Sequence, residues 1–227
     1  MALDGPGSSG KSTVGAAAAL ELGYRFCDTG LMYRAVTWLA LARGVPLDDA
    51  AGLVPLVAQV SLAEDEARRL DRVVVGGRDV TAEVRAPDVD ERVSEVSRVP
   101  EVRRELLSRQ RAIAAAGGIV MAGRDIGTVV LPDADLKLYL DASVEERARR
   151  RAEERGLGRA NHETREILDQ LRRRDALDST RPVAPLRTAP DAVVIRTDGN
   201  RFEETVAAVV AAIREAQRAR AGQVARR

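Results

Sequence analysis

The stretch "GPGSSGKST", residues 5–13, constrains the fold more than any other part of the chain. Gly5 to Ser12 fit G-x-x-x-x-G-K-[ST], between a short strand pattern, "MALD", and an Ala/Leu-rich helix pattern, "VGAAAALELG". That strand–loop–helix context is what gives the motif its meaning. A glycine-rich turn lets backbone N–H groups converge on phosphate oxygens, and a helix N-terminus adds positive potential. Gly5, Pro6, Gly7, Ser8, Ser9, Gly10, Lys11, Ser12 and Thr13 therefore read as a cradle for ATP or GTP. Lys11 would reach the β- and γ-phosphates, and Ser12 would ligate Mg²⁺. The rest of the chain sharpens the point. Its 36 basic residues include only two lysines, Lys11 and Lys137. A sequence that otherwise uses arginine keeps lysine where a compact point charge is wanted.

Downstream, short apolar segments alternate with helical patterns. "YRFCD", "GIVMAG", "LKLYLDA" and "AVVIRT" read as strands. "LMYRAVTWLALARG", "DVDERVSEVSRV", "PEVRRELLSRQRAIAAAG" and "FEETVAAVVAAIREAQRARAG" read as helices, and "LDDAAGLVPLVAQV" as a weaker one, with Pro55 near a break. "SVEERARRRAEERG" reads as a helix opened by a capping box, Ser143 with Glu146. Such alternation implies an α/β fold with about five parallel strands covered on both faces. "LDRVVVGGRDVTAEV" breaks the rhythm and reads as a hairpin around Gly76-Gly77, in a lobe inserted at about 60–95. "LGRANHETREILDQLRRRDALDSTRP" reads only as a polar stretch, and residues from about Gln223 as a loose tail.

Composition narrows the function classes. Charged residues make up 31% of the chain yet leave a net charge of +1, so no global field draws it to nucleic acid or membrane. Anion binding must come from local clusters. One cysteine, Cys27, makes no internal disulfide and reads as a small buried strand residue. No apolar run is long enough for a membrane span, and "MALDGPG" lacks the regions of a signal peptide, so a cytoplasmic location is expected. Trp38 reads as core and His162 as a solvent-exposed loop residue. Among P-loop proteins, a GTPase would carry N-K-x-D, which is absent. "YRFCD" and "LKLYLDA" are weak matches to the acidic strand of a motor ATPase. What remains is arginine placed repeatedly after strands. A kinase acting on a phosphorylated acceptor needs such groups, because two polyanions must be held together against their repulsion.

"GPGSSGKST", "DTGLMYRA", "VRRELLSRQR", "GRDIGTVVLPDADLKLYLDAS" and "RRRDALDSTRPVAPL" occur in this order. Together they resemble the bacterial cytidylate kinases, of the nucleoside-monophosphate kinase group, over nearly the whole chain. The resemblance implies one P-loop kinase domain over 1–227, with an enlarged CMP-binding lobe and a short Arg-rich lid at about 150–170. It implies transfer of the ATP γ-phosphoryl to CMP or dCMP, with Mg as cofactor, a monomer, and no nucleic-acid or membrane partner. Thr29, Arg34, Arg124 and Arg181 would hold the acceptor phosphate. Ser94, Arg103 and Asp125 would read cytosine, and Arg174 and Asp178 would reach sugar and phosphate. Asp28 would organise the Mg²⁺ waters. Lys11, Arg124, Arg174 and Arg181 would be the catalytic cations, with Arg147 and Arg151 near the transferred phosphoryl. "ERARRRAEER" could equally be a solvated helix with i,i+4 ion pairs. The chain departs from the family at Ser8, where glycine is common, and in its abbreviated first strand. A kinase for another acceptor (AMP, UMP or shikimate) and a nucleotide-binding module without turnover remain as alternatives. Finally, Gly-Arg-Asp occurs twice, at 77–79 and 123–125. The first copy reads as a hairpin turn with Arg78 facing water, the second as a site at a strand end.

Overall fold

A computed structural model describes residues 1–157 and 162–224. Four strands form the backbone of the sheet: β1 (Ala2–Asp4), β2 (Arg25–Asp28), β6 (Ile119–Gly123) and β7 (Lys137–Asp141). With β8 (Val193–Arg196) they run parallel in the order β2-β6-β1-β7-β8. Although it has three residues, β1 lies in the middle of the sheet, where Leu3 is fully buried. The short strand is sufficient because both neighbours supply a ladder and both faces are covered by helices.

Around this sheet lie α1 (Lys11–Glu21), α2 (Gly30–Arg43), α3 (Ala50–Val57), α4 (Pro87–Ser97), α5 (Pro100–Ala115), α6 (Val144–Glu154), α7 (His162–Thr180) and α8 (Phe202–Val224). One apolar cluster packs β1, α1, β7 and α8 through Leu3, Val14, Leu140 and Ile213. A larger one joins α2 to α3, α4 and α5 through Leu31, Val36, Leu53, Val96 and Leu106. Trp38 is half-buried against it, and Cys27 is fully buried.

The inserted segment, expected as a small lobe at about 60–95, adds strands to the main sheet. Its strands β3 (Val60–Glu64) and β4 (Arg69–Val75) extend the main sheet: β4 pairs parallel to β2, and β3 pairs antiparallel to β4. The hairpin expected at Gly76-Gly77 is present, with φ of +56° and +85°, and leads into the two-residue β5 (Arg78–Asp79). Two positive φ values at a two-residue turn are what glycines supply at little cost. Pro55 lies inside α3, which ends two residues later.

Further expectations are corrected. The polar stretch after residue 157 contains a 19-residue helix, α7, whose only buried apolar residues, Ile167 and Leu171, sit on Ala148 and Ala152 of α6. His162 is exposed, as expected, but at the start of this helix. Ser143 caps α6 by accepting from the Glu146 N–H at 3.2 Å, yet Glu146 does not complete a capping box. The Ser143 N–H donates to Asp198, and Glu146 binds Arg149 and Arg150. α8 runs to Val224, past the start of the expected tail; the end of that tail, 225–227, and the centre of the expected lid, 158–161, lie outside the described residues.

Candidate active site

The carboxyl ends of β1, β2 and β6 face the same edge, because the strands are parallel. Ligands of such sheets bind beyond that edge. β1 runs into the phosphate loop there, β2 ends at Asp28 and β6 ends at Gly123. A cleft of about 740 Å³ opens at this edge and extends between α4 and α7.

At the loop, α1 begins without a side-chain cap and without an acidic residue in its first turn. Its first N–H groups are left for an anion. Gly5 comes so close to β7 that an added Cβ would stand 2.4 Å from the Leu140 carbonyl oxygen. Ser8 adopts φ +58°, a left-handed conformation that costs a non-glycine residue about 1–2 kcal/mol. Serine therefore occupies a position whose backbone favours glycine. The Lys11 ammonium donates to the Pro6 carbonyl at 3.0 Å. Burial, then the Arg124 guanidinium, hold its pKa well below the ordinary lysine value. A phosphate there would restore the charged form.

Ser12 donates to Asp28 Oδ2 at 2.6 Å, and Asp28 Oδ1 accepts from the Gly30 N–H at 2.9 Å. The hydroxyl and carboxylate are thus adjacent hard oxygens, the donor type Mg²⁺ prefers, with few protein ligands and room for water. Among the described residues no cluster of three or more acidic, His or Cys side chains could hold a metal by itself. Thr29 is buried and donates to the Ala122 carbonyl at 2.9 Å. Its proton is used in fixing α2 to β6, so it could donate to a phosphate only by leaving that carbonyl.

The arginines fall into two groups. Arg124 donates through Nε to Asp178 at 2.9 Å and through Nη1 to the Gly5 carbonyl at 3.2 Å. A Cβ added at Gly7 would stand 3.4 Å from Arg124 Nη2 and 3.7 Å from Arg174 Cδ, so both side chains lie over the phosphate loop. Arg34 and Arg174 meet on Asp90, the latter at 2.8 Å, and Arg151 reaches the other oxygen at 2.6 Å. Deeper in the cleft, Asp125 accepts from Arg103 at 2.5 Å and from Arg181 at 3.4 Å. Arg103 lies 5.3 Å from the centroid of the Tyr33 ring. Arg181, expected beside the acceptor phosphate, stands next to Arg103 on Asp125, and its Nε donates to the Ala184 carbonyl at 2.5 Å. Ser94 donates to Asp178 at 3.3 Å. Burial pushes the Asp178 carboxyl up, but Arg124 and Arg174 outweigh it and leave it below the usual carboxylate value.

Arg147 departs from expectation. It is buried and grips the Gly7 carbonyl at 2.9 Å, the Ala142 carbonyl at 3.0 Å and Asp175 at 2.5 Å. With its donors used on Gly7 of the loop, on Ala142 and on Asp175, it ties the cradle to α7 and does not line the cleft. Arg78 is exposed and pairs with Glu83 at 2.7 Å, so the first Gly-Arg-Asp is a turn and only the second lies at the site.

Three residues escaped sequence reading. Asp90 resembles an ordinary acidic residue in the first turn of a helix. Asp175 sits in a run of charges. Asp4 is buried at the end of β1 and accepts from the Ile126 N–H at 2.8 Å and the Gly127 N–H at 2.7 Å. Those bonds fix the segment after Asp125, a single π-helical turn over 126–130. Burial raises the Asp4 carboxyl to about 6. An acidic residue directly before a phosphate loop was the available signal.

The sequence model of the family described as Cytidylate kinase matches residues 1–215. The chain belongs to the cytidylate kinase family. A cytidylate kinase of Enterococcus faecalis is 46% identical over 215 residues, covering 95% of each chain. One from Pelotomaculum thermopropionicum is 46% identical over 220 residues, covering 96% of this chain and 97% of that one. A bifunctional pantoate ligase/cytidylate kinase of Synechococcus sp. is 48% identical over 201 residues, covering 87% of this chain but 37% of that longer protein.

Proposed function

We propose that this protein transfers the γ-phosphoryl of ATP to CMP or dCMP, giving CDP or dCDP and ADP. The observation that carries this is the single cleft that holds Lys11 and the Arg34, Arg124 and Arg174 cations at one end and the Arg103–Asp125 pair at the other. A site with one anion-binding centre would suit a nucleotide switch. Two phosphates with a base-reading pair beyond them suit a nucleoside-monophosphate kinase.

Lys11 and the α1 N-terminus hold the donor phosphates. Arg34, Arg124 and Arg174 hold the acceptor phosphate and neutralise charge on the transferring group. The acceptor phosphate, with a second pKa near about 6, already presents an anionic oxygen at pH 7, so no general base is needed. The exposed His162 has no part in it. The chemistry is then positioning and charge stabilisation along an in-line path. Ser12 and Asp28 would hold Mg²⁺, which would offset the negative charge of the donor phosphates. Cytosine needs a donor toward O2/N3 and an acceptor for its amine, and Arg103 with Asp125 provides both. Ser94 and Asp178 flank the sugar. The segment of about 60–95 supplies part of the CMP lobe and about 150–170 the lid. The protein would act as a cytoplasmic monomer on free nucleotides.

A coupled ADP assay with CMP, dCMP, UMP and AMP tests this. CMP and dCMP turn over well and UMP poorly, because a uracil carbonyl facing Asp125 leaves two acceptors opposed. An unpaired buried polar group costs about 1–3 kcal/mol, roughly 5- to 150-fold in kcat/KM. UMP turning over as well as CMP removes the base assignment. ATP consumption indifferent to every acceptor returns the protein to the class of binding modules.

A further inference from the structure

Asp90 is unusual among the carboxylates of the cleft. Asp125 and Asp178 are fixed deep in the site, with side-chain exposures of 8% and 5%. Asp90 stands nearer the surface at 14% and collects guanidiniums from three elements: Arg34 of α2, Arg151 of α6 and Arg174 of α7. Two of these are the arginines read above as acceptor-phosphate ligands. We propose that Asp90 is a stand-in anion for the acceptor phosphate, holding Arg34, Arg151 and Arg174 together in the empty enzyme until phosphate takes them from it.

Charge and geometry support the exchange. Three guanidiniums on one carboxylate leave two positive charges uncompensated, matching the charge of about −1.5 to −2 on a phosphate monoester at pH 7. Among the described residues, Arg151 also reaches Glu154 at 3.5 Å, which is largely exposed, and the Asp178 charge acts on Arg174. Arg174 has an unused donor, since its Nε is buried without a partner, and its stem already lies over the phosphate loop. A carboxylate offers two oxygens, whereas a phosphate offers three and more charge, so planar guanidiniums prefer the phosphate when it arrives. Without Asp90, three cations would face one another across an empty cleft. With it, they are held near the geometry in which they are needed. Asp90 is thus a positioning residue, acting through the arginines and not on the substrate.

The seam between α4 and α7 gives the exchange a mechanical consequence. Glu91 accepts from Gln170 at 2.9 Å and Asp178 accepts from Ser94 at 3.3 Å, on either side of the Asp90–Arg174 pair. When phosphate removes Arg174 and Arg151 from Asp90, the central tie between α4 and the α6–α7 pair is released while the flanking ones remain.

The test is titration with inorganic phosphate, followed by calorimetry, of the full-length wild type, Asp90→Asn and Asp90→Glu. The wild type must displace an internal anion and Asp90→Asn need not. Phosphate is therefore expected to bind Asp90→Asn at least about tenfold more tightly, and Asp90→Glu to return near wild type. In steady state, Asp90→Asn lowers KM for CMP and lowers kcat as well, since CDP leaves arginines that no rival anion reclaims. Unchanged or weaker phosphate binding in Asp90→Asn, equal tightening in Asp90→Glu, or a raised KM for CMP would overturn the proposal. If Asp90→Asn does not fold, hydrogen exchange of the wild type decides. Added phosphate speeds exchange of the α4 amides if the tie is released, and slows or leaves it unchanged if Asp90 keeps its arginines. The proposal rests on the reading of Arg34 and Arg174, which Arg34→Ala tests separately. Unchanged CMP affinity in Arg34→Ala removes that reading, whereas lost CMP affinity there with unaltered phosphate binding in Asp90→Asn removes the exchange alone.

Discussion

Replacing Arg124 by Met separates what this side chain does for the fold from what it does for the reaction. Arg124 spans Asp178 and the Gly5 carbonyl, and its third nitrogen faces the phosphate loop. Met keeps the stem and removes every donor. Asp178, 5% exposed, is left with the 3.3 Å bond from Ser94 and the distant charges of its neighbours. Breaking a buried pair from one side typically costs 3–5 kcal/mol, since the remaining charge loses its compensation. In the reaction, losing one charge-stabilising donor costs about 10²–10³ in rate, or about 2.7–4 kcal/mol. The two effects have different remedies. Removing the orphaned charge in Arg124→Met/Asp178→Leu should recover most of the stability, because replacing both partners by apolar groups is often close to neutral. It should recover none of the activity. Urea denaturation and steady-state kinetics on wild type, both single variants and the double variant give the full cycle. The reasoning fails if kcat/KM of Arg124→Met stays within a few-fold of wild type. It also fails if the double variant regains activity along with stability, since Arg124 would then act only by holding Asp178.

Arg78→Ala, at the other copy of the tripeptide, should change kcat/KM by only a few-fold at most, as an exposed ion pair contributes little; a loss equal to that of Arg124→Met would show that the hairpin reaches the acceptor. Ser8→Gly relieves the left-handed serine but frees the unfolded chain, so stability should rise by up to about 1 kcal/mol, read as a higher urea midpoint; a lower midpoint would mean that the φ of +58° carries no strain. Asp28→Asn weakens the hard-oxygen pair with Ser12, so half-maximal activity should need several-fold more Mg²⁺, whereas an unchanged requirement would place the cation elsewhere. The Asp4 carboxyl, raised from 3.8 to about 6, holds a proton in the folded state that the unfolded state has released, so its contribution falls as pH rises from 3.8 to about 6 and is flat above. The stability of wild type minus that of Asp4→Asn should drop by about 2 kcal/mol between about pH 4.5 and about pH 7 in urea titrations, and a difference independent of pH would refute the raised value.

Local sequence determined the elements that are decided locally. The phosphate loop is legible because glycines, a lysine and a serine at fixed spacing serve backbone geometry within nine residues. The Gly76-Gly77 turn is legible because its two positive φ values need no distant partner. Strands β6 and β7 announce themselves as apolar runs because both their faces are buried. Arg124 and Asp125 were placed at the site by the strand before them, which fixes where the chain emerges.

Tertiary structure decided the rest. Helix α7 was invisible because its buried apolar residues are two, Ile167 and Leu171, and most of its other ties are polar, among them Arg174 on Asp90, Asp175 on Arg147 and Gln170 on Glu91. The inserted strands joined the main sheet through only two paired positions between β2 and β4, a contact across more than forty residues that no local pattern records. The same distance hid the partners of the arginines. A sequence rich in Arg, Asp and Glu offers many equivalent pairings, and burial selects among them, since a carboxylate out of water must be paired or hydrogen-bonded. Arg147 was drawn to the Gly7 carbonyl of the cradle, Arg181 to Asp125 and three others to Asp90. The sequence determined which charges are present, and the packing of α4, α6 and α7 determined which of them face the cleft.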